Sequence, residues 1–189
     1  MNNKKFDLRY GVVIIMILLA ALSRLMPHPP NFTPVTGMAL FGAAYLNRRW
    51  LALTIPLVAL WISNLILDNT VYAQYYDGFV WFSPFTIWVY ISIAAIVGIG
   101  YIFLKKVSFG RVASVTLLAS LLFFFVTNFG SWLASDIYPK NASGLLACYI
   151  AGIPFYWKTL AGDLFYTGVL FGIFEWMQRS VPALRPANA

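Results

Sequence analysis

The sequence predicts an all-α polytopic membrane protein with six transmembrane helices. Three observations carry that reading. Of 189 residues, 61% are hydrophobic, 18% aromatic and only 10% charged, a balance far too apolar for a water-soluble domain. The apolar residues fall in long runs, without the alternation of half-buried strands or the one-sided stripe of amphipathic helices. The basic residues sort to one side of the predicted crossings, as Lys and Arg do on the cytoplasmic side of a membrane.

A helix crosses about 30 Å of hydrocarbon with about 20 apolar residues. The first span covers about 10–26, behind Lys4 and Lys5; Arg24 and the lack of an A-x-A-like cleavage site argue that it is retained. A short second span, 35–46, opens after Pro34. Spans three to six follow at about 50–67, 84–104, 111–134 and 159–177. The stretch at about 142–157 is apolar but carries Gly144, Gly152 and Pro154, and reads as a short interfacial or re-entrant segment. If 35–46 crosses and 142–157 does not, Lys4, Lys5, Arg9, Arg48, Arg49, Lys105, Lys106, Arg111, Arg179 and Arg185 share one side. Arg24, Lys140 and Lys158 are left on the other. Residues 1–189 then form a single membrane domain with both termini in the cytoplasm.

The net charge of +7 is therefore a topology signal, and no basic stretch is long enough for nucleic acid. One His and one Cys leave almost none of the usual imidazole and thiolate metal ligands, so no metal and no cofactor is expected. No G-x-S-x-G, H-E-x-x-H or phosphate-loop motif occurs, which argues against an enzyme and against ATP hydrolysis by the chain itself. Asn31-Phe32-Thr33 and Asn141-Ala142-Ser143 match glycosylation acceptors, a pattern short enough to arise by chance.

Polar residues inside the apolar runs point outward. Arg24 closes the first span, and Asn64 and Asp68 lie four apart near the end of the third. Asn128 follows Arg111 by 17 residues, roughly 25 Å up the fifth span, with Trp132 and Asp136 beyond it. Lys158, Asp163 and Tyr166 open the sixth span. Polar and ionisable groups at one depth, below long outer loops, suggest a small-molecule pocket open to the outside. The same residues could instead mark the headgroup boundary or form a packing network, and Arg24 could pair with Asp163 or Asp68. His28, in the proline-rich loop 27–34, reads as structural or as a loop–ligand contact. Ala39-x-x-x-Ala43 and Gly168-x-x-x-Gly172 put small residues on one helix face, for helix packing or partner docking.

The stretches SRLMPHPPNFTPVTGMALFGAAYL (23–46) and LFFFVTNFGSWLASDIYPKNASGLLACYIAGIPFYWKTLAGDLFYTGVLFG (122–172) resemble an uncharacterised family of small bacterial membrane proteins. That family is similar to the substrate-binding S components of energy-coupling factor (ECF) vitamin transporters. The resemblance implies a six-helix S-component-like bundle in the bacterial inner membrane, with a ligand held by outer helix ends and loops. On this chain those places hold Asn31, Phe32, Asn64, Asp68, Asn128, Trp132, Asp136, Lys158 and Asp163. It also implies partners, a coupling subunit with ATPases, docked through small residues of the first span. Here that span offers only adjacent Ala20 and Ala21. The expected function is capture of a vitamin-like nutrient from outside, energised by a partner. The rivals are a ligand-free structural or assembly protein and a stand-alone carrier.

Overall fold

A computed structural model describes residues 8–83 and 85–185. Lys4, Lys5 and Pro84 lie outside the described residues. Six α-helices run α1 Leu8–Ser23, α2 Val35–Tyr45, α3 Arg49–Asn69, α4 Thr86–Phe103, α5 Phe109–Ala134 and α6 Ala142–Ser180, with no strand among the described residues. Helices α3, α4 and α5 are long and apolar enough to cross a membrane, each containing an 18-residue stretch with a mean hydropathy of 2.0. Large apolar side chains such as Leu19, Ile62, Ile91 and Leu121 face outward. In water such a surface would aggregate; against lipid it is at no disadvantage.

The architecture is a ring around an axle. α1, α3, α4, α5 and α6 touch in that cyclic order, with α6 closing back on α1, and α2 touches all five. Every residue of α2 except Ala44 is buried, which is why it is apolar all round. Close backbone approach seats it: a Cβ on Gly100 of α4 would stand 2.6 Å from that of Ala43, and one on Gly37 would stand 3.1 Å from the Thr167 nitrogen of α6. Phe41 and Tyr45 complete the core in edge-on contacts with Phe171 and Phe174.

Eleven residues make α2 only about 16 Å long, half a hydrocarbon thickness. It starts at Pro34, beyond the proline-rich loop 27–34, and ends near Asn47 and Arg48. It therefore occupies the half of the ring nearest the basic end. There the Tyr45 hydroxyl donates to Glu175 over 2.5 Å, Gln178 donates to the same carboxylate, and Arg9 lies over the Tyr45 and Phe174 rings. Arg185 folds back onto the Gln178 and Arg179 carbonyls, satisfying acceptors that the end of α6 leaves open.

One expectation is corrected. Residues 142–157 are not a separate interfacial or re-entrant segment; they are the first turns of α6, a single 39-residue helix that continues through Pro154. Glycine and proline do not break it, because each serves a contact. A Cβ on Gly144 would collide with the Pro139 carbonyl, and one on Gly152 with Asn128. Pro154 forgoes one backbone hydrogen bond, a loss that leaving the helix in an apolar setting would multiply. Asn141 caps the helix, its side chain accepting from the Gly144 nitrogen at 2.9 Å. Its match to a glycosylation acceptor coincides with this capping role.

Packing of α4 on α5 depends on Gly130, where a methyl group would run into the Trp88 indole. Gly130→Ala should cost about 1–3 kcal/mol by overpacking and lower the detergent melting midpoint by at least about 3 °C. Gly98→Ala, which meets open space, should leave the midpoint unchanged or raise it. Equal midpoints for the two variants would disprove the Gly130–Trp88 contact.

Candidate functional site

Beyond the N-terminus of α2 the ring is not filled by a helix. A cavity of about 530 Å³ opens there, walled by α3, α4, α5 and α6, with Arg24 entering from just past the end of α1, and roofed by the loop 27–34. Its floor is Thr33 and Val35, where the loop turns into α2. A recess of about 180 Å³ adjoins it, sharing Arg24, Asn64 and Tyr72 and reaching Asp68 and Ser83.

Among the described residues Arg24 is the only lysine or arginine lining the cavity. It follows the last turn of α1, and its Nη1 donates to Ser63 Oγ over 2.5 Å. The Ser63 hydroxyl in turn donates to the Leu60 carbonyl, which fixes it as an acceptor for the guanidinium. Nε is buried with no hydrogen-bond partner among the described residues. Asp68 lies close enough to act on Arg24 electrostatically but makes no ion pair with it. A guanidinium carries five donors, and here most remain for something else.

Asn128 reaches the cavity from α5. Its Nδ2 donates to the Phe124 carbonyl four residues back at 2.8 Å, while its carbonyl end turns toward Gly152. Asn64 adds an amide from α3. Aromatic rings supply the walls: Phe85, Phe123, Phe124 and Tyr156, with the Phe124 and Tyr156 centroids 5.1 Å apart. Apolar and aromatic surface with a few placed polar groups is the usual make-up of a small-molecule site.

The end of the loop next to α2 is anchored from α6. Phe32 packs on Phe165 and Tyr166 at 5.5 and 5.7 Å, and the Tyr166 hydroxyl accepts from Ser23. Gly162 lets the loop lie directly on the helix, since a Cβ there would come within 2.9 Å of the Thr33 nitrogen. Asn31 adopts φ 66°, a left-handed turn that asparagine tolerates better than most residues. His28 lines the cavity, with Nδ1 2.7 Å from the Met26 carbonyl.

The structure thus brings Arg24, Asn31, Asn64 and Asn128 together around one volume, with Asp68 in the recess. It places the other expected binding residues elsewhere. Trp132 donates from Nε1 to the Pro139 carbonyl, and Lys140 lies over its ring while donating to the Trp132, Leu133 and Ser135 carbonyls, so both pin the loop after α5. Asp136 is exposed on that loop, and Lys158 is exposed on α6. Tyr166 holds the end of the loop next to α2. Asp163 is fully buried, about 32 Å along α6 from Ala142, outside the cavity wall. The continuity of α6 moves it there, because the helix begins well before residue 159.

Residues missed from the sequence have two origins. Phe124 and Ser131 lie one turn either side of Asn128, so walking along that helix face would have found them. Tyr156 and Thr159 carried no such signal, because their place depends on α6 starting at Ala142.

The small-residue pairs separate as well. Ala39 and Ala43 are buried in α2, and Ala20 and Ala21 face the core of α1. Gly168 and Gly172 instead meet open space, on a groove of about 650 Å³ between α5 and α6 toward the basic end, lined also by Thr116 and Thr167.

Residues 4–184 match the family described as "Family of unknown function (DUF6580)". The chain belongs to this family. No curated protein and no solved structure matches it. In this DUF6580 member the cavity, with its under-satisfied arginine, is the feature that most resembles a binding site.

A half-buried guanidinium whose one hydrogen bond among the described residues goes to Ser63 adds little to the fold. Arg24→Met should therefore keep the melting midpoint within about 2 °C of the parent protein or raise it. A fall of more than about 5 °C would show that Arg24 is a brace between α1 and α3.

Proposed function

We propose that this protein captures a small molecule from the outer side of the bacterial inner membrane and passes it inward, with energy from a partner. The reading has six spans and cytoplasmic termini, which puts the basic end inside and the loop-roofed cavity outside. The observation that carries it is the cavity of about 530 Å³, whose size suits a vitamin-like nutrient. Arg24 would hold an anionic group, Asn64 and Asn128 would orient polar edges, and Phe85, Phe123, Phe124 and Tyr156 would enclose a ring.

The resemblance to ECF S components supports a non-enzymatic role coupled to an ATPase module. Ala20 and Ala21 face the core, so a coupling subunit would have to engage another surface. The second reading is a stand-alone carrier. What favours it is the second groove, which approaches the same α5–α6 interface from the basic end.

Native mass spectrometry of the protein, purified gently from its own host, tests the proposal. A bound molecule of definite mass is expected, and Arg24→Gln or Asn128→Ala should each reduce its retention at least about tenfold with little change in melting midpoint. Retention unchanged in both variants would place the ligand elsewhere. An empty parent protein, unresponsive in a vitamin thermal-shift screen, would favour a structural or assembly role.

A further inference from the structure

Asp163 is 0% exposed, and neither of its carboxylate oxygens has an aligned hydrogen-bond partner among the described residues. An ionised carboxylate in that state costs far more than the fold can spare, so something must answer it. Among the described residues no other charged side chain acts on it; the groups beside it are the Ser120 and Thr36 hydroxyls, from α5 and α2. Thr167 lies one turn further along α6 on the same face, against Gly37 of α2.

These hydroxyls differ from the others in the bundle. Ser63, Ser92, Thr116 and Thr127 each donate to a backbone carbonyl three or four residues back and so satisfy themselves. Ser120 Oγ and Thr167 Oγ1 do not; both are buried without a partner among the described residues. Four orphaned oxygens, two from Asp163 and one each from Ser120 and Thr167, thus lie with the Thr36 hydroxyl on facing stretches of α2, α5 and α6.

We infer that this junction binds a sodium ion. One carboxylate with neutral hydroxyls carries a single negative charge, which a monovalent cation cancels; a divalent ion would leave an excess positive charge in a low-dielectric interior. All the donors are hard oxygens, the set that hard cations prefer. A proton on Asp163 would also remove the charge, with the neighbouring hydroxyls hydrogen-bonding the neutral acid; a cation differs in making stability depend on which salt is present. A cation draws on all of these oxygens together.

The site goes beyond the capture reading, since it does not use the outer cavity's ligands. It is nevertheless placed to influence that cavity. Thr159, one turn from Asp163, and Val35, beside Thr36, both line the cavity. An ion tying α2 and α5 to α6 would hold two of its walls in register.

Thermal unfolding of the purified protein in detergent tests the site, in sodium, potassium or choline chloride at equal ionic strength. Sodium should raise the midpoint by about 3 °C or more over choline, and clearly more than potassium does. Asp163→Asn should abolish the difference, and Ser120→Ala or Thr167→Val should raise the sodium concentration needed about tenfold. Arg24→Gln should keep the full sodium effect, so loss of small-molecule binding and loss of the ion site are separable. No sodium effect in the parent protein, equal stabilisation by potassium or choline, or a sodium effect that survives Asp163→Asn would each overturn the assignment. The comparison of salts on the parent protein stands even if a variant does not fold.

Discussion

The constraint on which the rest of the structure depends is a mismatch of lengths. A central helix of 11 residues is surrounded by five that are longer, and close packing can fill only the part of the ring that the short helix reaches. At the basic end the packing is dense: α2 is buried on every side, and Phe41, Tyr45, Phe171 and Phe174 interlock around it. At the other end the ring still needs closing, and an extended, proline-stiffened loop does this without filling the space beneath. The cavity is therefore a consequence of where Pro34 lets α2 begin, and needs no further device to keep it open.

Buried polar groups fall into two kinds. Most hydroxyls bond their own helix backbone and are silent, as Ser92 and Thr116 do. Arg24 and Asp163 are different, because each keeps capacity that no neighbour uses. They are not each other's partner, although opposite charges in one bundle would ordinarily be expected to pair. Arg24 lies at the rim of the cavity with Asn64, and Asp163 lies deeper along α6 at the junction with α2 and α5. Ionisable groups with unused hydrogen-bonding capacity at separate points cost stability, and proteins generally keep such groups where a ligand supplies the missing partner.

Helix α6 links the two regions. Its first turns carry Gly152 and Tyr156 into the cavity wall, Gly162 seats the loop where it meets α2, Asp163 follows, and Glu175 meets Tyr45 at the basic end. One continuous helix thus passes every feature discussed above. A shift of α6 along its axis would be felt at the roof, the cavity and the ion junction together.

The sequence by itself determined the all-helical, membrane-like character and the order of helices α1 to α5, because these follow from local composition and from the transfer energetics of whole segments. It also identified Arg24, Asn64 and Asn128, whose polarity within apolar runs is visible without neighbours. Only the tertiary structure decided that residues 142–157 continue into α6. Glycine and proline there read locally as breaks, whereas their purpose lies in contacts with Pro139 and Asn128, distant or turned away in the chain. That one difference took Asp163 out of the cavity, brought Tyr156 and Thr159 into it, and left Gly168 and Gly172 facing open space. Segment hydropathy is a property of residues one at a time. Which face of a helix meets a cavity, a neighbour or lipid is a property of pairs of helices, and appears only once they are packed.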